Sequence, residues 1–194
     1  MRKSLFQEAA MSTESYLLFA LALIAGAFLI DRLRTGIRQY WKLSGKMIIT
    51  CPETQKTEAV EIASGHAALA AVANKRHLEL KACSRWPERR DCDQDCLSQL
   101  ESDPQRHWVW NIAADWYADK NCVFCNKPIL EFNHFDHRPA LLNLNGKAIE
   151  WDQISPKDLP EMLVSCQPVC WNCSIVQNFR HEHPELVVER PGRG

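Results

Sequence analysis

The sequence predicts an α+β protein in which an N-terminal transmembrane helix leads into a small region of short strands and helices stapled by its cysteines. Three observations carry this expectation. An apolar run occupies residues 16–30, nine cysteines cluster further along, and the stretches between them alternate between strand-like and helix-like patterns. No internal repeat or low-complexity tract is present, and only residues 188–194 read as a disordered tail.

Residues 1–15 form an N-terminal tail. Residues 16–30 are uninterruptedly apolar, and as a helix they span about 22 Å against a hydrocarbon core of about 30 Å. Serines just ahead of the run and the stems of Arg32 and Arg34 extend the fit. A signal peptide is the rival reading, because Arg2 and Lys3 precede the run and Ala25-Gly26-Ala27 resembles a cleavage site. Against cleavage, Phe28, Leu29 and Ile30 continue the run, and Glu8 and Glu14 dilute the basic flank. The segment is therefore read as an uncleaved single-pass anchor. Residues 31–45 read as a basic juxtamembrane linker. Arg32, Arg34, Arg38, Lys42 and Lys46 outnumber Arg2 and Lys3 on the other side, which places the rest of the chain in the cytoplasm, where thiols stay reduced.

Residues 46–104 read as a Cys-rich α+β unit. Residues 47–50 and 59–62 form a hairpin with Cys51 near its tip, residues 66–75 a helix, and residues 77–82 a strand running into Cys83. Asp91 is placed as the N-cap of a short helix, with Cys92 and Cys96 one turn apart on one face. Residues 105–187 read as a second unit, with a helix over 108–119, strands over 129–132 and 148–151, and a turn at 143–146. A short helix over 159–164 precedes the last cysteines, and the final helix stops at Pro184.

The chemistry of the chain concentrates in two Cys-x-x-Cys steps, Cys122 with Cys125 and Cys170 with Cys173. Each sets two thiols on one tight turn, and together they complete a tetrahedral S4 set that suits zinc. A knuckle followed by a helix with two cysteines in its first turn is the treble-clef arrangement. Rubredoxin-type iron shares the geometry and is the alternative metal. Cys51, Cys83, Cys92 and Cys96 make a possible second S4 site, with buried thiols or disulfides as the competing reading, and Cys166 is left over. The c-type haem motif is absent, since Asn126 and Ser174 follow the two pairs.

From residue 43 onward 17 Lys and Arg face 21 Asp and Glu, a formal charge of −4. Such a surface argues against nucleic-acid binding, which displaces counterions with basic residues. No phosphate-cradling Gly-rich loop or nucleophile elbow is present.

Between the Cys pairs, Phe132-Asn-His-Phe-Asp-His-Arg-Pro-Ala140 is the one stretch able to carry catalysis. With Cys122, Cys125, Asp136, His137, Cys170 and Cys173, it resembles the HNH endonuclease family. That resemblance implies a treble clef and a His general base beside a catalytic metal. Ser174 departs from it, standing where a metal-binding His or Asn is common. The preferred reading of Asp136 and His137 is structural, with His134 a surface neighbour and His181 and His183 on the solvated end of the last helix. The whole chain also resembles a group of uncharacterised bacterial Cys-rich membrane-anchored proteins, a resemblance that implies no activity.

The functional expectation is a membrane-anchored cytoplasmic zinc-binding protein, non-enzymatic, that acts as an interaction or scaffold module for a protein partner. A thiol-based metal or redox sensor and a degenerate HNH-like nuclease are the alternatives.

Overall fold

The computed structural model describes residues 13–89, 91–129 and 137–187. The chain folds into two compact units, one from the chain up to Lys42 with Ser64–Leu78, the other from Leu43–Ala63 with the chain from Glu79 onward.

The first unit pairs α1 (Thr13–Leu43) with α2 (Ser64–Val72). α1 runs for 31 residues without interruption, so the segment expected as a linker is helical through Leu43. Its length, about 46 Å, exceeds a hydrocarbon core, and none of its most apolar window is buried. Its apolar window is long enough and apolar enough to cross a membrane, by length and composition. The basic residues follow on the same helix, where the Arg32 guanidinium sits 4.9 Å from the Phe28 ring centre. Gly36 lets the helices approach, because a Cβ there would stand 2.6 Å from Val72 Cγ2. α2 ends earlier than expected, where Asn74 takes a left-handed conformation at φ 57°. Lys75 N–H then donates to Ala70 O at 2.8 Å and Asn74 N–H to Ala71 O at 3.0 Å, a Schellman closure.

The second unit holds two small antiparallel sheets. β1 (Lys46–Thr50), β2 (Thr57–Ile62) and β3 (Leu80–Cys83) form a meander in that order. Met47, Ile49, Val60, Ile62 and Leu80 are buried in it. α3 (Ser98–Ser102) and α4 (Val109–Tyr117) follow, then β4 (Ala140–Leu142), β5 (Ala148–Glu150), α5 (Leu159–Ser165), β6 (Gln167–Val169) and α6 (Trp171–Glu182). β4 is central, with Ala140 opposite Glu150 on one side and Val169 on the other. The β4–β5 turn works as expected from its sequence: Asn143 Oδ1 accepts from the N–H groups of Asn145 and Lys147, and Gly146 supplies φ 77°. Of the strand expected at 129–132, Ile129 is irregular and the remainder lies outside the described residues.

One core joins the two sheets. Ile48 of β1 packs in the same cluster as Ala113, Tyr117, Leu141, Trp151, Leu163 and Val169. His107 Nδ1 also lies 2.9 Å from Ile48 O. Leu141 is fully buried, and truncating such a residue to Ala costs about 2–5 kcal/mol.

Candidate metal centre

The site is built from a turn and a helix start. Cys122 N–H donates to Lys127 O at 2.9 Å and Asn126 N–H donates to Cys122 O at 2.9 Å, which closes the chain tightly around the first Cys pair. Asn126 makes this possible by taking φ 55°, a conformation Asn tolerates better than most residues. Val123 N–H donates to Pro168 O at 3.0 Å and so fastens the turn to β6, one strand residue ahead of the second pair. Cys170 is the N-cap residue of α6 and Cys173 lies in its first turn, with Ser174 N–H on Cys170 O at 2.9 Å.

These elements bring Cys122, Cys125, Cys170 and Cys173 together, all four sulfurs lying within 4.8 Å of one another. Cys125 and Cys170 are 3.8 Å apart. A tetrahedral S4 centre with metal–sulfur bonds of about 2.3 Å has sulfur–sulfur edges of about 3.8 Å, whereas a disulfide needs about 2.05 Å. All nine cysteines are free thiols. The quartet thus has the spacing of a metal site and not that of a pair of crosslinks.

The electrostatics agree. Burial pushes the Cys122 thiol up, but the N–H groups of Cys170, Cys125 and Phe124 and the Cys170 thiol outweigh it and bring it down to about 6. Burial pushes Cys173 up, and the thiols of Cys170, Cys122 and Cys125 push it further. Burial likewise raises Cys170. Four sulfurs this close cannot all ionise without a cation among them, and a bound metal removes that conflict.

The second set of sequence-identified cysteines is arranged differently. Cys51, Cys83, Cys92 and Cys96 line one pocket. Among the described residues, however, only the first quartet has three or more donor atoms mutually within 4.8 Å. The expected helix through Cys92 is not formed. Residues 91–94 are irregular, Gln94 is left-handed at φ 59°, and a short 3-10 turn begins only at Asp95. Cys166 is buried in the core.

Asp136 and His134 lie outside the described residues. His137 stands at φ 55° with its ring edge-on to Trp171 at 4.3 Å. Ser174 is buried and its hydroxyl donates to Trp171 O at 2.8 Å, a back-bond within the first turn of α6. His183 pairs with Glu185 at 3.5 Å on the exposed end of α6. Sequence reading missed the part played by Asn126, whose signal was an Asn directly after a Cys pair.

Fold and site together define a Cys-rich protein of mixed helix and sheet, with one apolar N-terminal helix long enough to span a membrane and a four-cysteine cluster at metal-binding distance. No protein-family model, curated protein or solved structure matches the chain.

Proposed function

We propose that this chain is a single-pass membrane protein whose cytoplasmic part binds zinc at Cys122, Cys125, Cys170 and Cys173 in a treble-clef-type site, and that the site presents α6 to a protein partner. The observation that carries the reading is the position of the thiols at the start of α6, beside an outward apolar face. Ile175, Val176 and Phe179 are each about half exposed on that helix. Gln177 and Asn178 face the other way, where Gln177 Nε2 donates to Gly146 O at 3.0 Å and Asn178 bonds both backbone groups of Ala148. Val123 and Phe124 are exposed on the Cys turn itself. Apolar side chains held on a rigid, metal-fixed element lose little entropy on binding, which favours a protein partner over a structureless role.

The acidic balance of the soluble part weighs against nucleic acid, as does the absence of a basic stripe on α6. The alternative is a thiol-based metal or redox sensor in which the cluster of Cys51, Cys83, Cys92 and Cys96 releases zinc on oxidation.

The test is photo-crosslinking in intact membranes with a photoreactive residue at Val176. A single heterologous protein adduct, lost when Cys122 and Cys125 are replaced by Ser, is the expected result. Adducts that persist unchanged in the Ser variant, or only lipid adducts, would refute the interaction role.

A further inference from the structure

The first centre leaves five cysteines unused, and four of them face a common pocket. Cys51 sits at the end of β1 in a turn whose backbone repeats that of the first centre. Cys51 N–H donates to Lys56 O at 2.9 Å and Gln55 N–H donates to Cys51 O at 2.8 Å. Gln55 is left-handed at φ 57°. Cys122, Asn126 and Lys127 make the same pair of bonds, with Asn126 at φ 55°. Thr54 occupies the place that Cys125 takes in the other turn, so this turn offers one thiol instead of two.

The other thiols arrive from two further elements. Cys83 ends β3 and its carbonyl accepts from Trp86 N–H at 3.0 Å, turning the chain back over the pocket. Cys92 and Cys96 lie on a segment tied to the sheet at two points, Gln94 between them and Gln99 just beyond. Gln94 Oε1 accepts from Leu80 N–H at 2.9 Å, and Gln99 bonds both backbone groups of Thr50, at 3.1 and 2.7 Å. The loop between Cys83 and Cys92 is held as well. Arg85 pairs with Glu53, and Arg89 reaches the same carboxylate at 3.4 Å.

The pocket is already organised around sulfur. Arg85 Nη1 lies 3.4 Å from Cys51 Sγ. The Thr54 hydroxyl and the Trp86 indole N–H are both buried without a well-formed hydrogen bond. Four thiols that line one pocket repel one another once ionised, and a cation among them relieves the repulsion.

We propose that Cys51, Cys83, Cys92 and Cys96 form a second, independent metal centre that takes a thiolate-seeking divalent ion such as zinc. Binding draws the segment carrying Cys92 and Cys96 onto the β1–β2 turn, releases the thiol protons and changes no oxidation state. The second centre needs no ligand from the first and does not depend on the proposed partner.

The test is zinc per chain, measured by mass spectrometry on the full-length protein purified in detergent under reducing conditions and dialysed against a weak chelator. Two ions per chain are expected in the parent, one in Cys92→Ser/Cys96→Ser and one in Cys122→Ser/Cys125→Ser. Cobalt substitution checks that each variant keeps its remaining site folded, through the charge-transfer and d–d bands of an S4 centre. One ion in the parent that survives Cys92→Ser/Cys96→Ser would overturn the second centre and leave the first standing. One ion that survives only Cys122→Ser/Cys125→Ser would remove the first and keep the second. Alkylation provides an independent reading: Cys51, Cys83, Cys92 and Cys96 should be protected together until a strong chelator is added, and immediate labelling of all four would overturn the proposal.

Discussion

The sulfurs of Cys125 and Cys170 lie 3.8 Å apart although 45 residues separate them in sequence. The chain reaches that separation by fastening the Cys122 turn to the strand that leads into α6. The distance equals an edge of a tetrahedral thiolate centre, so the backbone hydrogen bonds and the metal chemistry select the same geometry.

Loss of one ligand should therefore uncouple the turn from the helix. Replacing Cys170 with Ser is expected to weaken zinc binding at this centre by more than about 100-fold, beyond what altering a supporting contact does. Competition with a coloured chelator measures the affinity, and a parent-like value would count against ligation by Cys170.

Zinc binding should also release protons in a site-specific way. Burial and the neighbouring thiols hold Cys170 and Cys173 above the ordinary thiol range, so both keep their protons near neutral pH until metal displaces them. Cys122, held down to about 6, is already mostly ionised there. Affinity should rise with pH, and at least two protons should leave the first centre at neutral pH. Calorimetry of Cys92→Ser/Cys96→Ser in buffers of different ionisation heat counts them; release of none would show that these thiols are ionised before metal arrives.

Asn178 offers a test of how α6 is seated. Its side chain accepts from Ala148 N–H at 3.0 Å and donates to Ala148 O at 2.8 Å, taking the place of a neighbouring strand on the open side of β5. Asn178→Ala strands both groups and should cost about 1–3 kcal/mol. Urea unfolding of the full chain reads the loss, and a change below a few tenths would mean that water replaces the amide freely.

Gly36 controls the first unit. A side chain there meets Val72 Cγ2 and the Ala68 carbonyl, at 2.6 and 3.3 Å from its Cβ. Gly36→Leu should separate α2 from α1 and speed amide exchange in residues 64–72, with zinc content unchanged. Exchange identical to the parent would mean that the helices do not pack through this position.

Several features were legible because their chemistry is local. The two Cys-x-x-Cys steps, and a helix opening at Cys170 and stopping before Pro184, are set by turn and capping preferences. The apolar run of α1 was equally plain, but its continuation to Leu43 was not, because basic residues on a helix and on a linker look alike in composition. β4 and β6 are three residues each and carry no periodicity, and Pro168 sits within β6, so sheet pairing is decided by contacts distant in sequence. The segment from Asp91 to Cys96 invited a helical reading through its spacing. Its acidic residues, a left-handed Gln94 and the pull of Leu80 N–H on the Gln94 side chain keep it irregular. Grouping α2 with α1 depended on one glycine and an alanine-rich face, which a residue-by-residue reading does not connect.

The most direct measurement is X-ray absorption at the zinc edge on the full-length protein purified under reducing conditions. Cys122, Cys125, Cys170 and Cys173 as ligands require a shell of four sulfurs at about 2.3 Å with no oxygen or nitrogen component. A shell dominated by oxygen or nitrogen, or a protein that carries no metal while its thiols are intact, would show that the four cysteines meet for some other reason.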